Sequence, residues 1–438
     1  MWVRRLTQAV VVKSRSDHCI SRKNIDPDAL KVLYRLHRSG HIAYLVGGGV
    51  RDLLLGRQPK DFDVSTNAHP RTIKKLFRNC FLIGRRFRLA HIKFGDKIIE
   101  ASTFRRRPES DTDTNDSNAD LLHRHDNTFG TPTEDAQRRD FTINGLFYDI
   151  GTFSVIDYVG GLKDLDRRLI RSIGNPAIRF REDPVRMIRA VRFASRLGFS
   201  IDRSDIKAIR KYRHELLRAA PSRLLEEIYR LFAFRSGEAA VRILFETDLL
   251  AIILPEIDVY LRNADKAGRK VFWRCLAALD AGKYVIGQPT PVMIFSTLYL
   301  APFLSSACND PESGGRAFRL ALAHDLLTPA SRRFQMPRHV FHRTALALVS
   351  QRRFELTNRR FSKKRFVAMD VFPESLSLRQ IWLAAHDGDS NSLQTWIDLY
   401  GKWKLDSTSR LGNHIEHERN TPYRRFDNHR SNRRRKHS

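Results

Sequence analysis

The stretch Leu45-Val46-Gly47-Gly48-Gly49-Val50-Arg51-Asp52, followed shortly by Lys60-Asp61-Phe62-Asp63-Val64, decides how this chain is read. Ile42 to Val46 is a short apolar run that predicts a strand, Val50 to Leu55 a helix, and Asp61 to Val64 the next strand. Residues i and i+2 of a strand point to one face, so Asp61 and Asp63 would aim two anionic groups at one place. Phe62 between them would pack into the core and fix that direction. Paired carboxylates of this kind suit Mg²⁺, and Mg²⁺ suits phosphoryl chemistry. Glycines between a strand and a helix leave N–H groups turned outward, where a phosphate can approach the backbone. Arg51, one turn along, would pair with a phosphate oxygen. Alone, the glycines would read as an ordinary strand–helix turn. With the Asp-x-Asp beside them they point to an enzyme that transfers a nucleotide.

Two-metal sites usually take a third carboxylate. Glu100, in Ile98-Ile99-Glu100-Ala101 on a predicted neighbouring strand, is one candidate. Asp140, in Arg138-Arg139-Asp140-Phe141-Thr142-Ile143-Asn144, is another, with a buried salt bridge as its structural alternative. Arg139 would neutralise phosphates. A further constellation runs Arg181-Glu182-Asp183-Pro184-Val185-Arg186-Met187-Ile188-Arg189-Ala190-Val191-Arg192-Phe193. Asp183 and Pro184 read as N-cap and first turn of a helix, with Glu182, Arg186, Arg189 and Phe193 near one face. A carboxylate beside a guanidinium complements the amine and ring nitrogen of adenine, and equally those of cytosine. A capped helix laced with ion pairs is the plain alternative.

The rest of the chain bounds the partner. Its 438 residues exceed one ordinary core, and a hydrophobic share of 42% supports packed structure. Lys and Arg number 78 against 48 Asp and Glu, a formal charge of +30 that calls for a polyanion, nucleic acid or an anionic membrane surface. No apolar run is long enough to span a bilayer, which favours nucleic acid and no membrane. Cys19, Cys80, Cys275 and Cys308 form no CxxC and fit free thiols in a reducing compartment, here taken as the cytoplasm. The N-terminus carries no secretory pattern; its basic, acid-free start reads as a short disordered arm rather than an organelle presequence.

Along the chain, Asp26-Pro27 opens a helix whose Ala29, Val32, Leu33 and Leu36 recur at helical spacing, and Gly40 stops it. Lys74 to Phe77 reads as helix, Ile92 to Phe94 and Ile98 to Thr103 as a hairpin. From about 180 to 400 the pattern is helical. Arg359-Arg360-Phe361-Ser362-Lys363-Lys364-Arg365-Phe366 alternates cations with aromatics, as single-stranded RNA binding would use, or as a cationic helix face over a small core. His324-Asp325 and His386-Asp387 lack the further ligands of a metal site and read as structural.

Gly47 to Asp52, Asp61 to Asp63, Arg138 to Asn144 and Glu182 to Phe193 resemble, in order, the motifs of the class II tRNA nucleotidyltransferase and bacterial poly(A) polymerase family. The resemblance spans about residues 20 to 260. Within the family, Leu82 to Ile92, the third glycine Gly49 and the run Asp135 to Asp140 resemble the poly(A) polymerase branch. The resemblance implies a polymerase-β-like head, with Asp61 and Asp63 as a catalytic, metal-binding pair for two Mg²⁺ ions and Asp140 as a catalytic or structural acid. It implies that Gly47, Gly48, Arg51 and Arg139 contact the triphosphate of ATP, and that Asp183, Arg186 and Arg189 face base and phosphate. No covalent enzyme intermediate is required.

The expected fold is α+β: a polymerase-β-like nucleotidyltransferase head followed by an all-α body and a disordered basic tail. Its expected parts are a flexible arm 1–23, a head 24–178 with a flexible insertion 107–128, a helical neck 179–265, an RNA-binding body 266–407 and the tail 408–438. The expected activity is template-independent addition of AMP from ATP to RNA 3′ ends with release of pyrophosphate, single-stranded RNA being held by the basic body and tail. CCA addition to tRNA is the runner-up, and an inactive RNA-binding decay adaptor the alternative from another class. RNA-decay proteins as partners are left undefined by the sequence.

Overall fold

The structure, a computed structural model, describes residues 9–84, 89–106, 128–282, 284–308, 315–356, 361–388 and 390–405. The expected tail, the insertion up to residue 127, Arg85 to Arg88 and Arg359-Arg360 lie outside them.

An eight-stranded mixed sheet forms the head. Its strands are β1 (Val11–Lys13), β2 (Ala43–Val46), β3 (Asp63–Thr66), β4 (Cys80–Ile83), β5 (Leu89–Phe94), β6 (Lys97–Thr103), β9 (Leu146–Asp149) and β10 (Val155–Asp157), in the order β1-β10-β9-β2-β3-β6-β5-β4. Two short strands, β7 (Arg105–Arg106) and β8 (Thr128–Phe129), pair with each other where the expected insertion leaves and re-enters. Only the β3–β6 pair of the large sheet is parallel. The register sets Val46 opposite Asp63, so the residue before the glycine turn lies across from the second aspartate of Asp-x-Asp.

The helix expected after Asp26 is α1 (Pro27–Arg38). Asp26 accepts the Asp28 N–H at 2.8 Å, Pro27 needs no donor partner, and the four apolar residues at helical spacing are buried. Val32, Leu33 and Leu36 each contribute about 1.5–3 kcal/mol relative to exposure. Helices α2 (Gly48–Leu54) and α3 (Pro70–Leu76) follow β2 and β3. The sequence reading did not anticipate α4 (Pro132–Arg138), which opens with a reciprocal capping box between Thr131 and Glu134.

The arm expected to be flexible over 1–23 is ordered where it is described. β1 adds to the sheet edge against β10, His18 Nε2 lies 2.9 Å from the Phe153 carbonyl, and Ile20 is buried. The β-branched run Val10-Val11-Val12 supplies the strand, and the basic composition of the segment masked it.

Beyond the sheet come α5 (Gly161–Asp166), α6 (Pro176–Glu182), α7 (Val185–Leu197), α8 (Arg203–Tyr212) and α9 (Pro221–Phe232), and then a body whose long helices run from Lys266–Ala281 to Phe372–Ala385. One apolar cluster continues from Ile20 in the head to Ala385 in the body. A second gathers around Phe366, Phe372 and Trp396, and a third, of Val46, Phe104, Ala136 and Phe147, lies behind the glycine turn. Among the described residues no helix is long and apolar enough to cross a membrane.

Candidate active site

A cleft of about 580 Å³ opens where the glycine turn, the start of β3, the segment after α4, and helices α7 and α9 meet. Gly47 has φ +70°, and a Cβ there would stand 2.8 Å from Arg139 Nη1, so both backbone and space demand glycine. At Gly49 a Cβ would meet the Asp61 carbonyl at 3.4 Å, ordinary contact, which shows how closely the turn lies against Asp61-Phe62-Asp63.

Asp61 and Asp63 are both exposed to the cleft, and Phe62 between them is buried at 7% exposure. The alternation holds although β3 begins only at Asp63, so Asp61 is presented by the preceding loop and not by a strand. The walls of the cleft push the Asp63 carboxyl up to about 6, helped by the nearby charges of Glu100 and Asp61 and opposed by Arg139. A desolvated carboxylate that resists ionising, with Glu100 and Asp61 adding their charges, is a donor that a cation would relieve, so the residues fit Mg²⁺. Glu100 enters this neighbourhood through the β3–β6 register but lies 3.5 Å from His91 Nε2. Among the described residues no three His, Cys, Asp or Glu side chains gather closely enough to hold a metal by themselves. Mg²⁺ at such a site takes its remaining ligands from substrate phosphates and water.

Asp140 reaches the cleft wall, but its oxygens are taken. Oδ1 accepts from the Phe141 N–H at 2.8 Å and Asn144 Nδ2 at 3.0 Å, and Oδ2 accepts from Arg189 Nε at 2.9 Å and from Arg189 Nη2. Burial pushes its pKa up, yet the Arg189 charge and these hydrogen bonds outweigh it and hold the carboxyl well below the usual range. The expected catalytic acid is therefore, in this geometry, a buried ion pair. Arg189 is committed with it, and Arg51 is likewise occupied. At 2% exposure, Arg51 donates from Nε to Asp52 at 2.8 Å and from Nη1 to Asn144 at 2.5 Å. Held there by Asp52 and Asn144, it lies under the turn rather than reaching out as the expected phosphate contact.

These pairs form one network between head and neck. Arg196 on α7 donates to Asp52 at 2.9 Å, and Arg192 contacts Glu227 of α9 at 3.0 Å. Burial lowers Arg192 to about 10 despite Glu227. Phe193 sits among the guanidiniums, with Arg192, Arg51 and Arg189 at 4.6, 5.2 and 5.7 Å from its ring centroid.

Arg139 is placed differently. It stacks over Phe147 at 5.3 Å, donates to Asp135 at 3.0 Å, and stands between Gly47 and Asp63. Buried Arg179 of α6 holds the carbonyls of Arg138 and Arg139 and so fixes this segment.

Asp183 is not the N-cap of α7 as expected. It ends α6, and α7 starts after Pro184 with no side-chain cap. Relieved of capping, the Asp183 carboxylate turns to the cleft. Its Oδ2 accepts from Arg223 at 2.9 Å, and its buried Oδ1 has no hydrogen-bond partner among the described residues. Arg186 lies nearby, held through Nη1 by the Arg179 carbonyl and Glu182, both at 3.1 Å. A polar acceptor without a partner, beside a guanidinium, is prepared for a ligand.

The cleft thus joins Gly47, Gly48, Asp61, Asp63, Arg139, Asp183 and Arg186 as reachable groups, and Arg51, Asp140 and Arg189 as their supports. Sequence reasoning missed Lys60, Arg192, Arg196, Arg223 and Arg230 in the lining. The spacing 189-192-196 on one helix and 223-230 on another was the signal, since such residues share a face.

Fold and cleft define a class: a nucleotidyltransferase head joined to a helical neck and body. The family described as "Poly A polymerase head domain" matches residues 43–171, and "Probable RNA and SrmB- binding site of polymerase A" matches residues 198–261. Poly(A) polymerase I of Escherichia coli O6:H1 is 44% identical over 338 residues, covering 76% of this chain and 73% of that one. The Salmonella typhimurium poly(A) polymerase I is 45% identical over 333 residues, 74% and 72% of the two chains. A CCA-adding enzyme of Bacillus pumilus is 37% identical over 222 residues, 50% of this chain and 53% of its own. Among solved structures, the Bacillus stearothermophilus CCA-adding enzyme in complex with CTP aligns with TM-score 0.59 at 25% identity, over 88% of this chain and 83% of that one. The chain belongs to the poly(A) polymerase family, is a nucleotidyltransferase that acts with RNA, and has CCA-adding enzymes as relatives.

Proposed function

We propose that this protein extends RNA 3′ ends with AMP taken from ATP, without a template and with release of pyrophosphate, in bacterial mRNA processing in the cytoplasm. The observation that carries the reading is the 44–45% identity to poly(A) polymerase I over some three quarters of the chain. The cleft supplies side chains in the roles such a reaction needs. Asp61 and Asp63 would hold Mg²⁺, two ions being expected, which when bound activates the RNA 3′-hydroxyl and neutralises the departing pyrophosphate. The 3′-oxygen attacks the α-phosphorus as the α–β phosphate bond breaks, and the hydroxyl proton leaves to solvent.

In this reading the open backbone at Gly47 and Gly48 lets a triphosphate approach, and Arg139 pairs with its oxygens. Asp183 Oδ1 accepts the exocyclic amine of adenine and Arg186 donates to its ring nitrogen. Arg51, Asp140 and Arg189 are positioning residues that keep the turn and α7 in place. Guanine and uracil present the opposite donor pattern and are rejected.

The test is purified protein with an oligoribonucleotide and each NTP separately. Long tails from ATP alone support the proposal. A requirement for CTP, with a stop after three nucleotides on tRNA lacking CCA, overturns it in favour of CCA addition, which the Bacillus relatives keep as the second reading.

A further inference from the structure

The helical body holds a second basic site, whose arginines all lie outside both matched segments. One cavity, of about 450 Å³, is walled by Arg316, Arg319, Arg352, Arg353 and Arg365 together with Phe361 and Phe366, and no carboxylate lines it among the described residues. A second cavity, of about 920 Å³, shares Arg319 and Arg352 and continues to Tyr260, Trp382 and His386. The shared arginines make the two cavities one groove, with guanidiniums along its middle and aromatic rings towards both ends. The carboxylates that do line the second cavity are engaged: Asp265 accepts the Gly268 N–H at 2.7 Å, and Glu355 pairs with Arg379 at 3.0 Å.

Three of the groove's guanidiniums have no carboxylate beside them among the described residues. Arg316, Arg353 and Arg365 make no ion pair among the described residues. Arg353 donates to the Met369 thioether at 2.9 Å, a weak acceptor, and lies over the Phe366 ring at 5.2 Å. Burial and the neighbouring Arg316 charge both lower its pKa. Guanidiniums gathered without carboxylates repel one another and persist where a polyanion is the partner. Phe366 is buried in the cluster around Trp396, and half-buried Phe361 packs on that cluster's edge, so Phe361 is the ring of this cavity with surface left to meet a base.

We propose that this groove holds a single-stranded stretch of the RNA substrate, 5′ to the end that enters the active site. Arg316, Arg353 and Arg365 take phosphates, and Phe361 stacks a base. Contacts of this kind are tolerant of sequence, because phosphates carry no sequence information and every base has a face. This inference rests on the reading of the protein as an enzyme of RNA 3′ ends. It adds where the rest of the strand lies.

The experiment uses the full chain and 5′-labelled oligoadenylates of about 6 and 20 nucleotides, with affinity read by fluorescence anisotropy across a salt series and addition of the first AMP followed in parallel. R316A/R365A changes two exposed side chains with no ion pair among the described residues, so the fold has little to lose. It should weaken the 20-mer about tenfold and reduce its log–log salt slope by about 1.4, roughly 0.7 for each phosphate contact. Binding of the 6-mer, and the first AMP added to it, should not change. F361A should weaken the 20-mer about fivefold and F361W should restore it, which a packing role alone would not give. Unchanged 20-mer affinity and slope in R316A/R365A overturns the proposal. So does equal weakening of both lengths, or blunt duplex RNA competing as well as single strands. If wild-type protein adds no AMP to the 6-mer, the activity reading falls, while the binding comparison still reports on the groove.

Discussion

The active-site cleft and the body groove are both rich in arginine, but they spend it differently. In the cleft Arg51 has Asp52, Arg189 has Asp140, Arg192 has Glu227 and Arg196 has Asp52 again. In the groove Arg316, Arg353 and Arg365 have no carboxylate among the described residues. A guanidinium already saturated by a carboxylate builds the wall of a site, whereas one without such a partner is available to substrate. Positive charge counted from composition cannot separate the two, and pairing can. The cleft's reachable chemistry is small: Asp61, Asp63, Asp183, and two guanidiniums, Arg139 and Arg186, that line the cleft although each also has a carboxylate partner, Asp135 and Glu182.

The strongest test of that division is D61A/D63A. Loss of the carboxylate pair should reduce AMP incorporation by about a thousandfold or more, roughly 4 kcal/mol of barrier, while RNA affinity stays near wild type. Incorporation that persisted at the wild-type rate would remove the metal assignment. It would also leave the cleft with no distinction from the groove.

Asp140 tests the other half. As one partner of a largely buried pair, its removal in D140A should destabilise the protein by about 1.5–3 kcal/mol, because Arg189, 30% exposed, keeps only a long contact of 3.7 Å to Glu227. D140A/R189A should regain part of that loss, as no orphaned charge remains. Urea denaturation of the four proteins closes this double-mutant cycle. A catalytic acid would behave otherwise: D140A would lose turnover with its denaturation midpoint in place, and removing Arg189 would recover no stability.

Asp183 is the cleft's intermediate case, half paired and half free. D183A should lower kcat/KM for ATP about ten- to a hundredfold, since a hydrogen bond to a buried charged acceptor is worth about 1.5–3 kcal/mol. It should also narrow the preference for ATP over GTP. An equal fall for both nucleotides would mean that Asp183 only tethers Arg223.

What the sequence disclosed follows the same line. The glycine turn, Asp-x-Asp, α1 with its cap, the β5–β6 hairpin and the run of α7 all depend on neighbours within a few residues, and all were legible. The network was not, because its partners are remote: Asp140 and Arg189 are 49 positions apart, and Asp52 and Arg196 are 144 apart. Arg51 looked like a phosphate contact because nothing local tells that Asn144 and Asp52 will enclose it. Asp183 looked like an N-cap for the reason that Asp-Pro so often is one; the break between α6 and α7 shifted the helix start by one residue and released the side chain. The arm 9–23 was misread because its basic residues concealed Val11 and Val12, which with Lys13 make β1.

Two buried aspartates carry the comparison down to a single charge. Asp140 has a guanidinium and is held well below the usual carboxylate range. Asp205, fully buried on α8, accepts from the Ser172 N–H at 3.2 Å and from the Ser172 hydroxyl, with no bonded cation among its hydrogen-bond partners. Burial raises it to about 6, and the Ser172 bonds only partly oppose that. A raised acid binds its proton more tightly in the folded state, so its stabilising contribution is full below the unfolded value near 4 and is lost as pH rises to about 6. A lowered acid does the reverse: Asp140 stabilises above that unfolded value, and its contribution disappears only as pH falls through its depressed one. Between pH 4.5 and 6.5 the native Asp140 does not titrate and Asp205 does. The stability of wild type relative to D205N should therefore fall across that window, by on the order of 2 kcal/mol, as read from urea midpoints at the two pH values. A difference that stayed flat would show that Ser172 alone balances the buried charge. Pairing with a cation would then not be what sets one buried carboxylate apart from another in this protein.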